Sequence, residues 1–342
     1  MRILFAGSPG IAVPSLEALF ALAGDAGFEL AGVLTNPDSP RGRSGKPEPT
    51  EVGAAAERFS ERLAAAGKPP FPALKPARLD AAAREAVSAL KPDLLVSFAY
   101  GRIFGPKFLA LFPLGGINIH PSLLPRYRGA TPIPAAILNR ESLTGLSIQR
   151  LAAEMDSGDI LAQENIPLNG RETAGSLGNI AAQKAAELLP RVLGALAAGT
   201  AEARPQNHGE ATYCSLLSKE DGLIDWSRSA AEIEARVRAF DPWPQTWTTR
   251  GGRQLFILRA GLPDSPPAGA SAADSGEAGF AAPSGVLAPG TVLGVDKRQG
   301  ILIQTGRGVL AARELQYEAK KALDWKAFLN GARDFIGSRL GA

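Results

Sequence analysis

The segment GGINIHPSLLPRYRGATP, from Gly115 to Pro132, joins an apolar strand to a loop that is typical of neither helix nor strand. The strand GINIH ends at His120, one of two histidines in the chain, and Asn118 lies two residues before it. Residues two apart in a strand face the same side, so both side chains can address one substrate atom. We therefore expect a buried strand here that delivers a functional pair at its end.

Short apolar runs alternate with helical patterns around this segment. Strands are predicted at 2–5, 28–35, 94–98, up to His120, and later at 146–151 and 160–168, and helices at 13–23, 52–66, 80–90 and 173–198. This β-α-β alternation indicates an α/β fold with a mostly parallel sheet that is buried on both faces. Such sheets bind ligands beyond the carboxyl ends of their strands. His120 falls at such an end.

The pattern changes in the last third of the chain. A polar segment at 201–212 with few aliphatic residues is typical of a linker. A helix at 229–240 then leads into five short strands, which favour a small barrel or sandwich. An Ala/Gly/Ser/Pro-rich stretch at 262–285 is expected to be a flexible insertion, and a closing helix is expected at 324–340. We predict domains at 1–200 and 213–342.

Composition excludes several classes of protein. Cys214 is the single cysteine, so an internal disulfide and a cysteine metal cluster are excluded, and with two histidines we expect no metal site. The net charge of +3 is compatible with nucleic-acid binding without being diagnostic of it. No apolar run is long enough for a signal peptide core or a membrane span. We expect a cytoplasmic protein that does not bind membranes.

The residues near His120 suggest chemistry at a carbonyl group. An imidazole exchanges protons near neutral pH, and the Asn118 amide can donate to an oxyanion. The later sequence EMDSGDIL supplies Asp156 and Asp159, and a carboxylate there can orient the imidazole. By spacing alone, the alternative stays open that Asn118 and His120 form a structural hydrogen-bonding pair and that Asp156 only makes a turn.

The segment GGINIHPSLLPRYRGATPI, together with MDSGDIL, resembles the folate-dependent formyltransferases. The resemblance implies a Rossmann-like N-terminal catalytic domain and an OB-like C-terminal β-barrel. It also implies that Asn118, His120 and Asp156 are catalytic and that 10-formyltetrahydrofolate is the formyl donor. The loop implied to bind the folate is formed by Ser122, Leu123, Leu124 and Pro125.

Three branches of this family differ in the amine that they formylate: glycinamide ribonucleotide, an amino-sugar nucleotide, or the methionine on initiator tRNA. The loop LTNPDSPRGRSGKPEPT resembles that of the tRNA branch, and it carries Arg41, Arg43 and Lys46 as implied tRNA contacts. A solvated basic loop is the alternative interpretation. We expect a monomeric enzyme that formylates initiator methionyl-tRNA for translation initiation. The alternatives are an amino-sugar nucleotide formyltransferase and a catalytically inactive folate- or RNA-binding module.

Overall fold

The structure is a computed structural model that describes residues 1–23, 27–40, 45–263, 287–332 and 334–341. The chain divides into two compact units. The first unit comprises Met1–Ile133, Ser142–Leu168 and Ser176–Ser215, and the second comprises Pro134–Glu141, Asn169–Gly175 and Leu216–Ala342.

Up to residue 215 the chain contains the strands and helices predicted from the sequence, together with several shorter elements. In chain order these are β1 (Arg2–Gly7), α1 (Val13–Leu22), β2 (Glu29–Leu34), β3 (Ser39–Pro40), β4 (Pro47–Glu48), α2 (Glu51–Ala65), β5 (Ala73–Leu74), α3 (Ala81–Ala89), β6 (Leu94–Phe98), α4 (Pro106–Leu109), β7 (Gly116–His120), β8 (Arg128–Gly129), α5 (Pro132–Leu138), β9 (Leu143–Arg150), β10 (Ile160–Pro167), α6 (Ala174–Ala197) and β11 (Tyr213–Cys214).

Seven strands form the sheet of the first unit, in the order β10-β9-β7-β6-β1-β2-β5. The five strands from β7 to β5 in this order are parallel, while β9 is antiparallel to β7 and β10 is antiparallel to β9. The predicted mostly parallel sheet is therefore confirmed. The chain leaves β1 towards β2 on one side and later adds β6 and β7 on the other, which creates the switch point where α/β sheets bind ligands.

Both faces of this sheet are buried by apolar side chains. Ile3 and Phe5 of β1 belong to the cluster formed with α1, α2 and α6, whereas Leu4 and Ala6 belong to the cluster that includes residues of α3 and α4. Full burial of such an aliphatic or aromatic side chain contributes about 1.5–3 kcal/mol. The bare apolar runs of the central strands thus have a direct cause, because the side chains of β1 and β6 are buried on both faces of the sheet, apart from Arg2.

The later elements of the chain, all in the second unit, are α7 (Ala230–Ala239), β12 (Thr246–Arg250), β13 (Arg253–Gly261), β14 (Val292–Asp296), β15 (Gly300–Gln304), β16 (Val309–Tyr317), β17 (Leu323–Asp324) and α8 (Trp325–Asn330). The strands form an antiparallel sheet in the order β12-β13-β16-β15-β14, with β17 paired to β16. The five predicted strands are all present. Helix α7 begins with a capping box between Ser229 and Glu232, which satisfies main-chain N–H groups at its first turn.

The prediction of a closing helix at 324–340 is wrong beyond Asn330. Helix α8 ends there with Gly331 as its C-cap, and Gly337 has a φ of 80°, which a right-handed helix does not allow. Phe335 and Leu340 are nevertheless buried, so these apolar residues pack into the core from a non-helical segment. Apart from Leu262 and Pro263, the insertion expected at 262–285 lies outside the described residues.

Within the part of the chain that the structure describes, no helix combines the length and apolar character needed to span a membrane.

Candidate active site

The end of β7 places Asn118 and His120 on the same face of the sheet. Ile117 and Ile119, which alternate with them, belong to the cluster on the opposite face, so the two polar side chains point away from that core. Asn118 is half-buried and His120 is buried. In the antiparallel pair with β9, Asn118 lies directly opposite Gln149. The side chain of Gln149 is therefore a cross-strand neighbour of the Asn118 amide.

Asp156 reaches this pair from the turn that follows β9. The Oδ1 atom of Asp156 lies 3.4 Å from Nδ2 of Asn118, and its Oδ2 atom lies 3.6 Å from Nδ1 of His120. The structure thus brings together the three side chains singled out in the sequence. Asp159, the other aspartate of this segment, is exposed, and its main-chain oxygen accepts a hydrogen bond from the Arg150 N–H.

The turn that carries Asp156 requires a glycine at position 158. A Cβ atom at Gly158 would lie 1.9 Å from the main-chain oxygen of Arg150 at the end of β9. Asp156 itself has a φ of 52°, a left-handed conformation that aspartate tolerates better than most residues. Close packing of the turn on β9 therefore explains the glycine two residues after Asp156, whose side chain is directed towards β7.

His120 is held by a main-chain group on the loop that follows β7. Its Nε2 atom lies 2.8 Å from the main-chain oxygen of Tyr127, which can only accept a hydrogen bond. Nε2 therefore carries the hydrogen, and Nδ1 is the ring nitrogen that faces Asp156. It follows that Nδ1 is the atom through which His120 can take up and release a proton at this site.

Two further donors hold the Asp156 carboxylate. The main-chain N–H of Gly129 donates to Oδ2 at 2.9 Å, and Nε2 of Gln149 donates to Oδ1 at 2.9 Å. Gly129 has a φ of 110°, and a Cβ atom there would lie 2.2 Å from the main-chain oxygen of Cys214. The glycine thus permits β8 and β11 to approach closely, and this approach presents its N–H group to Asp156.

Two glutamines and an arginine near Asp156 carry no recognisable signal in the sequence. Gln149, Gln206 and Arg128 are all buried, and their side chains are linked by hydrogen bonds. Gln206 belongs to the segment 201–212, which we interpreted as a linker because it is polar. The proline immediately before Gln206 and the low aliphatic content gave no sign of burial. The segment is brought to the site by the pairing of Arg204 with Ile160 and by main-chain hydrogen bonds of Thr212 to Arg128 and Pro125.

The loop implied to bind folate divides into buried and partly exposed residues. The Ser122 hydroxyl donates to the main-chain oxygen of Arg126 at 2.6 Å, and Leu124 is buried with its N–H bound to the Ser147 hydroxyl. Leu123 and Pro125 are partly exposed, and the Leu124–Pro125 peptide bond is cis. The surface that this loop offers to a ligand is therefore formed by Leu123 and Pro125, while Ser122 and Leu124 hold the loop together.

The basic loop implied to contact tRNA is described at both of its ends. Arg41 and Arg43 lie outside the described residues, whereas Lys46 is exposed and precedes β4. Strands β3 and β4 pair as an antiparallel ladder, and the hydroxyl groups of Thr35 and Thr50 form a buried hydrogen bond below it. Both ends of the loop are thus joined to each other at its base.

Lys75 anchors the base of this loop to helix α2. Its Nζ atom lies 2.8 Å from Asp38 and 2.9 Å from Glu57, which belongs to α2. The hydrogen bond to Asp38 raises the pKa of Lys75, and the contacts to Glu57 act in the same direction. The ammonium group therefore stays charged, and it ties the loop to the fold at neutral pH.

Cys214 lies close to the carbonyl group that binds His120. Its Sγ atom is 3.3 Å from the main-chain oxygen of Arg128 and 3.7 Å from that of Tyr127, to which His120 also donates. Burial raises the pKa of the Cys214 thiol.

Within the described residues, no three His, Cys, Asp or Glu side chains are grouped closely enough to hold a metal ion.

An amide, an imidazole and a carboxylate thus converge at the carboxyl edge of the α/β sheet. The model of the family "Formyl transferase" matches residues 1–193, and that of "Formyl transferase, C-terminal domain" matches residues 216–333. The chain belongs to the formyl transferase family.

Its curated relatives share nearly their whole length with it. The chain is 49% identical to a methionyl-tRNA formyltransferase of Treponema denticola, over 98% of each chain. It is 41% identical to a methionyl-tRNA formyltransferase of Chloroflexus aurantiacus, over 97% of each chain. Both family models and both relatives extend into the second unit, so the likeness is not confined to the sheet that carries the site.

Solved structures with 17% identity share the fold. One is WlaRD, a sugar 3N-formyl transferase, with a TM-score of 0.61 over 94% of this chain and 99% of that chain. Another is HypX from Aquifex aeolicus in complex with tetrahydrofolic acid, with a TM-score of 0.61 over 98% of this chain. The chain spans 48% of the length of HypX.

Proposed function

We propose that this chain transfers a formyl group from 10-formyltetrahydrofolate to the α-amino group of methionine on initiator tRNA. The observation that carries the proposal is the convergence of Asn118, His120 and Asp156 at the carboxyl edge of the sheet. These are an oxyanion donor, a proton carrier and an orienting acid, which are the groups that acyl transfer needs. Full-length likeness to methionyl-tRNA formyltransferases supports the choice of tRNA as the acceptor.

Asn118 is assigned to the formyl oxygen. An amide nitrogen carries two hydrogens, and one of them points to Asp156 at 3.4 Å. The other remains for the oxygen of the formyl group as that oxygen gains negative charge. Asp156 thereby fixes the direction of the amide before the substrate arrives, so the donor needs little reorganisation during the reaction.

His120 and Asp156 are assigned to the proton. The attacking amine must be neutral, and an α-amino group has a reference pKa of about 7.7–8.0, so no strong base is needed. A bond forms between the amine nitrogen and the formyl carbon, the bond from that carbon to N10 breaks, and one proton passes from the amine to N10. Nδ1 of His120 can carry this proton, while Asp156 stabilises the imidazole when it is protonated.

Binding of the two substrates is assigned to the two loops. Leu123 and Pro125 present an apolar surface to the folate, on a loop whose shape depends on Ser122 and Leu124. Arg41, Arg43 and Lys46 are assigned to the tRNA, since basic side chains on a Gly/Pro-rich loop match phosphates and base edges. We propose that the enzyme acts as a monomer in the cytoplasm, where charged initiator tRNA is used.

A formylation assay with three acceptors offered side by side tests the proposal. Purified protein and 10-formyltetrahydrofolate are incubated with initiator methionyl-tRNA, with an amino-sugar nucleotide, or with glycinamide ribonucleotide. We expect formylation of the tRNA-bound methionine and none of the other two amines, and Asn118→Ala serves as the inactive control. Preferred formylation of the sugar nucleotide would overturn the choice of acceptor. Folate binding without turnover of any acceptor would identify an inactive binding module.

A further inference from the structure

The side chain of Arg128 is buried next to the site, and its hydrogen-bond partners are an amide, a hydroxyl group and an imidazole. It is 1% exposed, and its Nε and Nη2 atoms donate to Oε1 of Gln206 at 3.1 and 2.6 Å. Nη1 lies 3.3 Å from the Tyr213 hydroxyl, and Nη2 lies 3.1 Å from Nδ1 of His208. A guanidinium group has only donors, so every group that it contacts must accept. The amide of Gln206 must therefore present its oxygen, and not its nitrogen, to Arg128.

The amide of Gln206 is fixed from both ends. Its oxygen accepts two hydrogen bonds from Arg128, so its nitrogen points the other way. That nitrogen lies 3.1 Å from Oε1 of Gln149, 2.9 Å from the main-chain oxygen of Asp156 and 2.6 Å from that of Gly158. All three of these atoms are acceptors. Gln206 therefore holds the backbone of the turn and also sets the direction of Gln149.

The amide of Gln149 links Gln206 to the Asp156 carboxylate, and its hydrogen bonds run in the same donor-to-acceptor direction. Because its oxygen accepts from Gln206, its nitrogen must face Oδ1 of Asp156, at 2.9 Å. Gln149 is 1% exposed, so water does not compete for these bonds. The chain of contacts thus begins at a positive charge and ends with an N–H group directed at the carboxylate. If either glutamine amide were turned round, the oxygen of Gln149 would face the Asp156 carboxylate instead of its N–H group.

We propose that Gln149 and Gln206 are positioning residues for Asp156, and that Arg128 sets the direction of their hydrogen bonds. The glutamines leave Oδ2 of Asp156 turned towards Nδ1 of His120 and keep one Asn118 hydrogen engaged. None of the three needs to touch a substrate. The activity readout rests on the proposed formyl transfer, whereas the structural readout described below does not.

The test replaces one hydrogen-bond donor in this series of contacts, the Nε2 group of Gln149, by an acceptor. In Gln149→Glu the oxygen that accepts from Gln206 is kept, but a carboxylate oxygen replaces the N–H group that faces Asp156. In Gln149→Met the polar contacts are lost without being reversed. Gln304→Glu is the matched control, because Gln304 is also a buried glutamine whose Nε2 donates to main-chain oxygens, and it belongs to the second unit. For each variant, kcat, both KM values and the ¹⁵N signals of labelled histidine are measured.

We expect kcat to fall by ~10²-fold in Gln149→Glu, as displaced catalytic groups commonly cause, with KM values near those of the wild type. The kcat of Gln149→Met should fall by a smaller factor. The ¹⁵N signal of His120 should move in both Gln149 variants but not in Gln304→Glu. Unchanged kcat and an unmoved His120 signal in the folded Gln149 variants would overturn the proposal. If Gln149→Glu does not fold, Gln149→Met decides it. If the wild type transfers no formyl group, the proposed function fails, and the His120 signal alone decides the positioning role.

Discussion

His120 and Tyr127 are joined by a hydrogen bond in which the imidazole Nε2–H donates to a main-chain oxygen 2.8 Å away. We expect the neutral imidazole to carry its hydrogen on Nε2 rather than on Nδ1, because the carbonyl cannot donate. The measurement is ¹⁵N NMR of histidine-labelled protein, in which the His208→Gln variant assigns the two sets of signals. A neutral His120 with its hydrogen on Nδ1 would contradict the assignment.

Asn118→Ala removes the proposed oxyanion donor. We expect kcat to fall by ~10²–10³-fold, the usual effect of losing one such donor, and folate affinity to change little. Steady-state kinetics and equilibrium binding of a folate analogue measure the two effects. Asn139→Ala is the matched control, because the amide of this exposed asparagine donates to the main-chain oxygen of Ala135 within its own helix turn. Normal turnover in Asn118→Ala would remove Asn118 from the mechanism.

Arg43→Ala removes a basic side chain of the loop assigned to tRNA. We expect KM for charged tRNA to rise while folate binding is unchanged. The slope of log KM against log salt concentration should become shallower by about the value of one phosphate contact. Kinetics at several salt concentrations test this, with Arg58→Ala as a control on the exposed surface of α2. Equal salt slopes for Arg43→Ala and the wild type would show that Arg43 does not contact the RNA backbone.

The sheet and the placement of Asn118 and His120 at its edge could be predicted from the sequence for a clear physical reason. Strands buried on both faces are bare apolar runs, and the spacing of Asn118 and His120 puts both side chains on one face. Neither Gln149 nor Gln206 carries such a pattern. Their roles depend on the register of β9 against β7 and on a segment that returns to the sheet after α6, and neither relation is local in sequence. The closing helix was overpredicted because apolar spacing continued past the glycines at which the helix stops.

Cys214 should react slowly with alkylating reagents in the folded protein. Burial raises the pKa of its thiol, so less of the reactive thiolate is present at a given pH than in the unfolded chain, where the pKa is about 8.5. Iodoacetamide labelling from pH 7 to pH 9, with and without urea, gives both rates by mass spectrometry, since the chain has one cysteine. Equal rates in the two states would contradict this prediction.

Lys75→Met should lower stability at neutral pH and lose its effect in strong alkali. Because the folded pKa of Lys75 is raised, its contribution is fully present below the unfolded pKa of about 10.4 and is lost as the pH rises through the folded value. The free energy of unfolding in urea, compared at pH 8 and at alkaline pH, measures this. Lys68→Met, an exposed lysine beyond α2, is the control. A stability difference that persists unchanged in alkali would mean that Lys75 acts through packing alone.

Gln206 follows the last strand of the large sheet by about forty residues, and this has a consequence for synthesis. As the nascent polypeptide leaves the ribosome, Asn118, His120 and Asp156 emerge well before the amide that we assign to their alignment. A truncated product that ends after α6 retains the reacting groups but lacks that amide. On the proposed arrangement, an unfinished copy that ends before Gln206 lacks a group that positions Asp156, so we expect it to be a poorer catalyst than the full chain.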